Sequence, residues 1–326
     1  MSARIAKAIR LFALLLLGSG ISTSVCSAEN RLVVALVIDA DSHIHDKTVA
    51  GIKLAVNSAG HEQAHFHIID INKPASVAAI KASAIDYAIV VGVKPALFAL
   101  KQNLSYPHLY TLIPENTYRE IIRQGQPASR PVTNKNHVIF LGQMPERQLA
   151  LARVVMGKKS RVGLVVGDNS HAEAMALQQA ATTRNIQLVM QRVSAAETVI
   201  DDIKQVLKGS DIYLALYDTN IINRHNAKWL LYMAYKMKKP VIGFSASYTR
   251  AGAVASIFST PEQIGRQSGE WLLDMLAKKT VSHTQYPKYF TITTNPNIQR
   301  ILRLERLSGE KIKTIMQRNE QAIVND

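Results

Sequence analysis

Cysteine is almost absent from this chain: one residue of 326, Cys26, close to the N-terminus. That scarcity excludes thiol catalysis, thiolate metal sites and disulfides from the rest of the sequence. A chain of this length buries an adequate core without disulfides. Acidic residues are few, 24 against 39 Lys and Arg, which leaves a formal charge of +15. Such basicity suits nucleic acid, an anionic surface or an acidic ligand. The cations are spread along the chain rather than interleaved with aromatics, however, so they read as a solvated surface. Two glycine-rich phosphate motifs are missing as well. There is no Gly-x-x-x-x-Gly-Lys-Ser/Thr, and the first apolar strand runs into Asp39-Ala40-Asp41 where a dinucleotide fold needs glycines. No cofactor is expected.

Long apolar runs are also lacking. Leu11–Leu17 is well short of the roughly 20 residues that span a bilayer. With Arg4, Lys7 and Arg10 before it and Val25-Cys26-Ser27-Ala28 after it, residues 1–28 read as an export signal cleaved before Glu29. Two alternatives stand beside cleavage: an uncleaved anchor, and a lipid on Cys26. Thr23-Ser24-Val25 departs from the lipoprotein pattern, which has Leu at its first place and a small residue before the cysteine. Export to the periplasm argues against a nucleic-acid partner. It leaves a body of about two domains.

What is present is alternation. Strands alternate with amphipathic helices: Leu32–Ile38 is hydrophobic on both faces, and Tyr87–Val91 and Arg161–Val166 read as further strands. The segment Arg123–Asn136 breaks the rhythm and reads as a long loop. The pattern then restarts, so the expected fold is α/β, with two doubly wound parallel-sheet lobes joined by hinges. The stretch Lys239–Glu270 reads as strand, irregular loop, strand and capped helix.

Ligands of open α/β sheets meet the C-terminal ends of strands, where helix N-termini offer unpaired amides. Those positions hold Asp39, Asp41, Gly92, Lys94, Pro114, Glu115, Asp168, Asn169, Ser170, Asp218, Asn220 and Ser245. Asp168–Ser170 also reads as a helix cap. Tyr217, Phe244 and Tyr248 lie near these loops, either to stack on a flat ligand or to pack beneath them. Gly243-Phe-Ser245-Ala-Ser247 approaches a nucleophile elbow but lacks the second glycine, and only His283 follows it as a triad histidine. His43, His45, His61, His65 and His67 crowd the first half, at spacings that match no standard metal site.

The wording of Lys239–Glu270 resembles the closing section of ABC-transporter periplasmic substrate-binding proteins, of type I architecture, and specifically their tryptophan- and aromatic-amino-acid-binding members. Gly92-Val93-Lys94-Pro95-Ala96 is similar to that family's Gly-Thr-x-Ala turn, with the hydroxyl lost. Asp168-Asn169-Ser170 resembles its Asn/Ser-rich turn, and Leu216–Thr219 its Pro-Thr-Asp-Asn turn. The resemblance implies a binding protein rather than an enzyme, closing on a small molecule that is an amino acid or aromatic compound. It places Asp39, Gly92, Lys94, Asp168–Ser170, Asp218, Asn220, Ser245 and Tyr248 at the ligand, with Asp218 meeting an ammonium. Ser245 stands where the family has an Asp. The implied partner is an ABC permease, or a membrane sensor of the same fold; an exported serine hydrolase built on Ser245 is the alternative of another class. The implied lobes are 29–141 with about 253–280, and 142–252 with about 281–307, before a charged surface helix over 308–326.

Overall fold

The protein is described by a computed structural model covering residues 32–82, 84–125, 135–157, 161–193 and 195–324. The leader expected over residues 1–28 lies outside the described residues, as does most of the expected long loop. The first lobe opens with β1 (Val33–Ile38), α1 (His43–Ser58), β2 (His65–Asp70), α2 (Ser76–Ile80), β3 (Tyr87–Val91) and α3 (Val93–Gln102). It continues through β4 (His108–Ile113), α4 (Glu115–Gly125) and β5 (Asn136–Phe140). The second lobe follows with α5 (Pro145–Met156), β6 (Val162–Val166), α6 (His171–Thr183), β7 (Leu188–Arg192) and α7 (Val199–Gly209). Then come β8 (Ile212–Leu214), α8 (Arg224–Lys236), β9 (Val241–Gly243), α9 (Ala246–Ala251) and β10 (Ala255–Phe258). The chain ends with α10 (Pro261–Leu276), β11 (Thr284–Gln285), β12 (Thr291–Thr294), α11 (Pro296–Ile301) and α12 (Gly309–Val324).

These strands make two six-stranded sheets, ordered β11-β5-β4-β3-β1-β2 and β12-β10-β9-β8-β6-β7. All neighbours pair in parallel except β10 with β12. Because side chains alternate across a strand, each sheet feeds two cores. Val34, Leu36 and Ile38 face α1 and α10, while Ala35 and Val37 join the opposite core with Ala96 and Ala99 of α3. The second sheet repeats this: Val162, Leu164 and Val166 pack towards α5 and α6, and Val165 towards α7 and α8. In both sheets the strand order reverses beside the first strand, so the loops after β1 and β3, and after β6 and β8, diverge and open a crevice.

Five elements depart from the sequence expectation. The strand in Ala253–Phe258 stays in the second sheet between β9 and β12, and β11 stays in the first. The crossings therefore fall at Ser259 and after Tyr286, not at 253 and 281; an apolar strand carries no mark of which sheet it joins. The loop expected after Gly243 contains the short helix α9, and α4 forms over a segment the sequence pattern leaves unassigned except at its ends, burying Ile121. Finally α12 is not a stripe-free surface helix: Ile312 and Met316, one turn apart, are fully buried against the second lobe.

The three crossings are tied to each other. Gln143 Nε2 donates to Ser259 Oγ (2.8 Å), Ser259 Oγ donates to the Tyr289 carbonyl (2.5 Å), and Arg147 bonds both Gln143 Oε1 (3.0 Å) and the Pro287 carbonyl (2.8 Å). Gln143, Arg147 and Ser259 are all buried.

Candidate functional site

A cavity of about 690 Å³ opens where the two sheets present their C-terminal strand ends, with walls from both lobes. The first lobe supplies Gly92 at the start of α3, and Glu115, Asn116 and Thr117 at the start of α4. The second supplies Glu173 from the first turn of α6, Tyr217 after β8, and Phe244 and Ser245 after β9. Asn116 Nδ2 reaches the Asn169 carbonyl at 2.5 Å, a direct bond between the lobes.

Backbone geometry explains Gly92. Its φ of 91° is left-handed territory, and a Cβ there would meet His45 Nε2 at 2.5 Å. His45 accepts the Asp39 amide on Nδ1 (3.0 Å), which fixes the proton on Nε2 and aims that nitrogen at the cavity wall. Burial holds the imidazole below its ordinary pKa, so it stays neutral at pH 7.

Glu173 is the residue that sequence reasoning missed. Ser170-x-x-Glu173 has the spacing of a capping box, which would turn the glutamate back onto its own helix. In the structure Ser170 makes no cap: its hydroxyl donates to Asp218 Oδ2 (2.8 Å) and receives the Gly167 amide (3.0 Å). Glu173 is released to the cavity, where Gln148 Nε2 holds its Oε1 at 2.8 Å. Burial, reinforced by the negative charges of Glu115 and Asp218, pushes its carboxyl up to about 6. Glu115 is better compensated. It accepts the Tyr286 hydroxyl (2.6 Å) and pairs with Arg119.

The structure divides the other expected residues. Gly92 and Ser245 line the cavity. Ser245 also caps α9, its Oγ accepting the Tyr248 amide at 3.4 Å, and no imidazole bonds to it. His283 stacks instead on His137, with ring centroids 4.7 Å apart, and is not part of the cavity wall. Asp39 and Lys94 bind each other at 3.1 Å and border a separate hollow of about 430 Å³; Lys94 first, then Asn72, hold the Asp39 carboxyl below its usual range. Asp168 is exposed and paired with Arg192 (3.0 Å).

Asp218 requires a correction. It is 2% exposed, lies behind the cavity wall and is spent on Ser170 and the Asn220 amide (3.0 Å). Asn220 itself lies off the wall, as does buried Ser170. Tyr248 is corrected too: it is packed in the core under Phe244 (4.9 Å) rather than displayed. Tyr217 is displayed, meeting Phe244 edge-on at 5.6 Å. Among the described residues no three His, Cys, Asp or Glu side chains are placed to hold a metal. None of their helices is long and apolar enough to cross a membrane.

Residues 31–299 match the family model described as ABC transporter substrate binding protein. No curated protein matches the chain. Among solved structures, a ligand-free, open substrate-binding protein with adhesive properties from Clostridium difficile superposes with a TM-score of 0.66 at 16% identity, covering 86% of this chain and 97% of that one. A conserved domain protein from Vibrio cholerae gives 0.53 at 18% identity, covering 85% and 96%. A Streptococcus pneumoniae ABC domain in complex with L-Trp gives 0.53 at 12%, covering 84% and 95%. At these identities the likeness is one of fold.

Proposed function

The chain belongs to the ABC transporter substrate-binding protein family, and on that premise we propose that it is exported to the periplasm, captures a small molecule between its lobes and delivers it to an ABC permease. The observation that carries this reading is the cavity of about 690 Å³ walled by both lobes. Its volume suits a small-molecule ligand. Because both lobes contribute to it, occupancy favours the closed arrangement through contacts that only that arrangement makes. The leader over residues 1–28 supplies the route out of the cytoplasm, and a basic, solvated surface is compatible with a soluble carrier.

Cavity-filling tests the reading. Ala172 is an exposed wall residue on the first turn of α6, so Ala172→Trp fills space without removing core packing. The mature chain from Glu29 is expected to gain thermal stability when a small-molecule extract of bacterial cells is added. At about 100 times the dissociation constant the gain is roughly 2.7 kcal/mol. Ala172→Trp is expected to fold normally and lose that gain. A gain of equal size in the variant would place the ligand elsewhere.

A further inference from the structure

The charge of the cavity is opposite to that of the molecule. The chain carries +15, yet among the described residues no Lys or Arg lines the cavity. Its ionisable wall residues, apart from the phenols of Tyr217 and Tyr286, are Glu115, Glu173 and His45. The imidazole stays neutral because it is buried. Glu115 already has Arg119 and the Tyr286 hydroxyl. Glu173 has only Gln148, a neutral donor, on one of its two oxygens. It is a carboxylate in a low-dielectric site with no cation among the described residues paired to it, an arrangement that costs stability unless something else completes it.

The same cavity supplies a flat apolar surface. Tyr217 is 45% exposed although it is a large aromatic residue, and it is braced edge-on by Phe244, which is braced in turn by Tyr248. An aromatic face and a carboxylate on the walls of one cavity suit a cation on a planar body, since the ring quadrupole and the carboxylate both attract positive charge.

We propose that the cavity selects a small aromatic amine in its protonated form, with Glu173 meeting the ammonium and Tyr217 and Phe244 flanking the ring. The proposal rests on the reading of the cleft as the ligand site and adds the chemical class of what enters it. An ammonium seated there makes a charge-assisted hydrogen bond to the free Glu173 oxygen, about twice as strong as a neutral one. Organic anions are disfavoured by the same two carboxylates.

One carbon skeleton in three charge states tests the class: phenethylamine, 2-phenylethanol and 3-phenylpropionate, titrated calorimetrically at pH 8 into the mature protein. Phenethylamine is expected to bind, and 3-phenylpropionate to bind at least tenfold more weakly. Glu173→Gln is expected to lose tenfold or more for the amine while leaving 2-phenylethanol unchanged, and Glu173→Asp to recover part of the loss. Preference for the anion, or an unchanged amine affinity in Glu173→Gln, would overturn the charge assignment. Silence with all three, while the bacterial extract still stabilises the protein, would overturn the aromatic-amine class and leave the cleft reading intact. Silence with the extract as well would count against the cleft reading itself, and the proposal would fall with it.

Discussion

Two carboxylates that sequence alone would have ranked the other way decide the site. Asp218 sits at the end of a strand, where ligands gather, but its side chain turns inward to buried Ser170. Glu173 sits one turn into a helix, inside a sequence pattern that reads as a cap, and it is the one on the wall. Direction of a side chain is set by which polar partner wins. Here the Ser170 hydroxyl donates to Asp218 and accepts the Gly167 amide instead of an α6 amide, a result no spacing rule contains. Asp218→Ala is therefore expected to lower stability by about 1–3 kcal/mol in denaturant unfolding, because it strands a buried hydroxyl. Glu173→Gln is expected to do the reverse. A carboxyl pushed up to about 6 in the folded state from 4.5 stabilises the fold below pH 4.5, and that contribution is lost as pH rises through about 6. Removing it should raise the stability of ligand-free protein at pH 7.5 by up to about 2 kcal/mol, read by the same unfolding curves. Loss of amine affinity with gain of stability is a signature that a structural residue does not give. Amine affinity of the wild-type protein should also fall about tenfold from pH 7 to pH 5, as Glu173 protonates. Glu115 and Asp218 face it with like charge, which favours its protonation in that range, while burial opposes a charge on His45.

Elements were most legible where burial was complete. Tyr87–Val91 has the same bounds in sequence and structure, because a strand covered on both faces reads as an uninterrupted apolar run. Helix α10 was legible as well: Thr260 and Gln263 form a full capping box and Pro261 occupies the first turn. What was invisible is why that helix carries Gly265 and Gly269. Both face α1, and a Cβ on Gly265 would stand 2.1 Å from the Thr48 carbonyl oxygen, one on Gly269 2.8 Å from that of Ile52. Gly51 of α1 returns the contact, its own Cβ position lying 2.5 Å from the Glu262 carbonyl. The two helices therefore touch backbone to backbone, a pairing between segments some two hundred residues apart that local pattern cannot announce. Gly265→Ala is expected to force them apart and to cost about 1–3 kcal/mol or more, as overpacking does. A melting temperature within a degree of wild type would contradict the close contact. Helices α4 and α9 are hard to read for the opposite reason: the apolar face of α4 is confined to Tyr118, Ile121 and Ile122 among polar residues, and α9 is short.

At the scale of the molecule, the two-lobe plan was readable from the repeated alternation, but the points where the chain changes lobes were not. They are fixed by tertiary hydrogen bonds among Gln143, Arg147, Ser259, Pro287 and Tyr289. Such a buried network ties three chain crossings together, and the closure proposed above would bend the chain there. Gln143→Ala removes the group that bridges two crossings and leaves Ser259 without its donor. Stability is expected to drop by about 1–3 kcal/mol, with weaker ligand binding although Gln143 is only one part of a large wall. The direct test of a ligand held between lobes is hydrogen exchange of the mature protein, with and without the bacterial small-molecule extract. Bound ligand is expected to slow exchange in both the first-lobe segment 112–117 and the second-lobe segment 243–246, which both contribute to the cavity wall. Protection confined to one lobe, or located away from these walls, would contradict capture in the cleft.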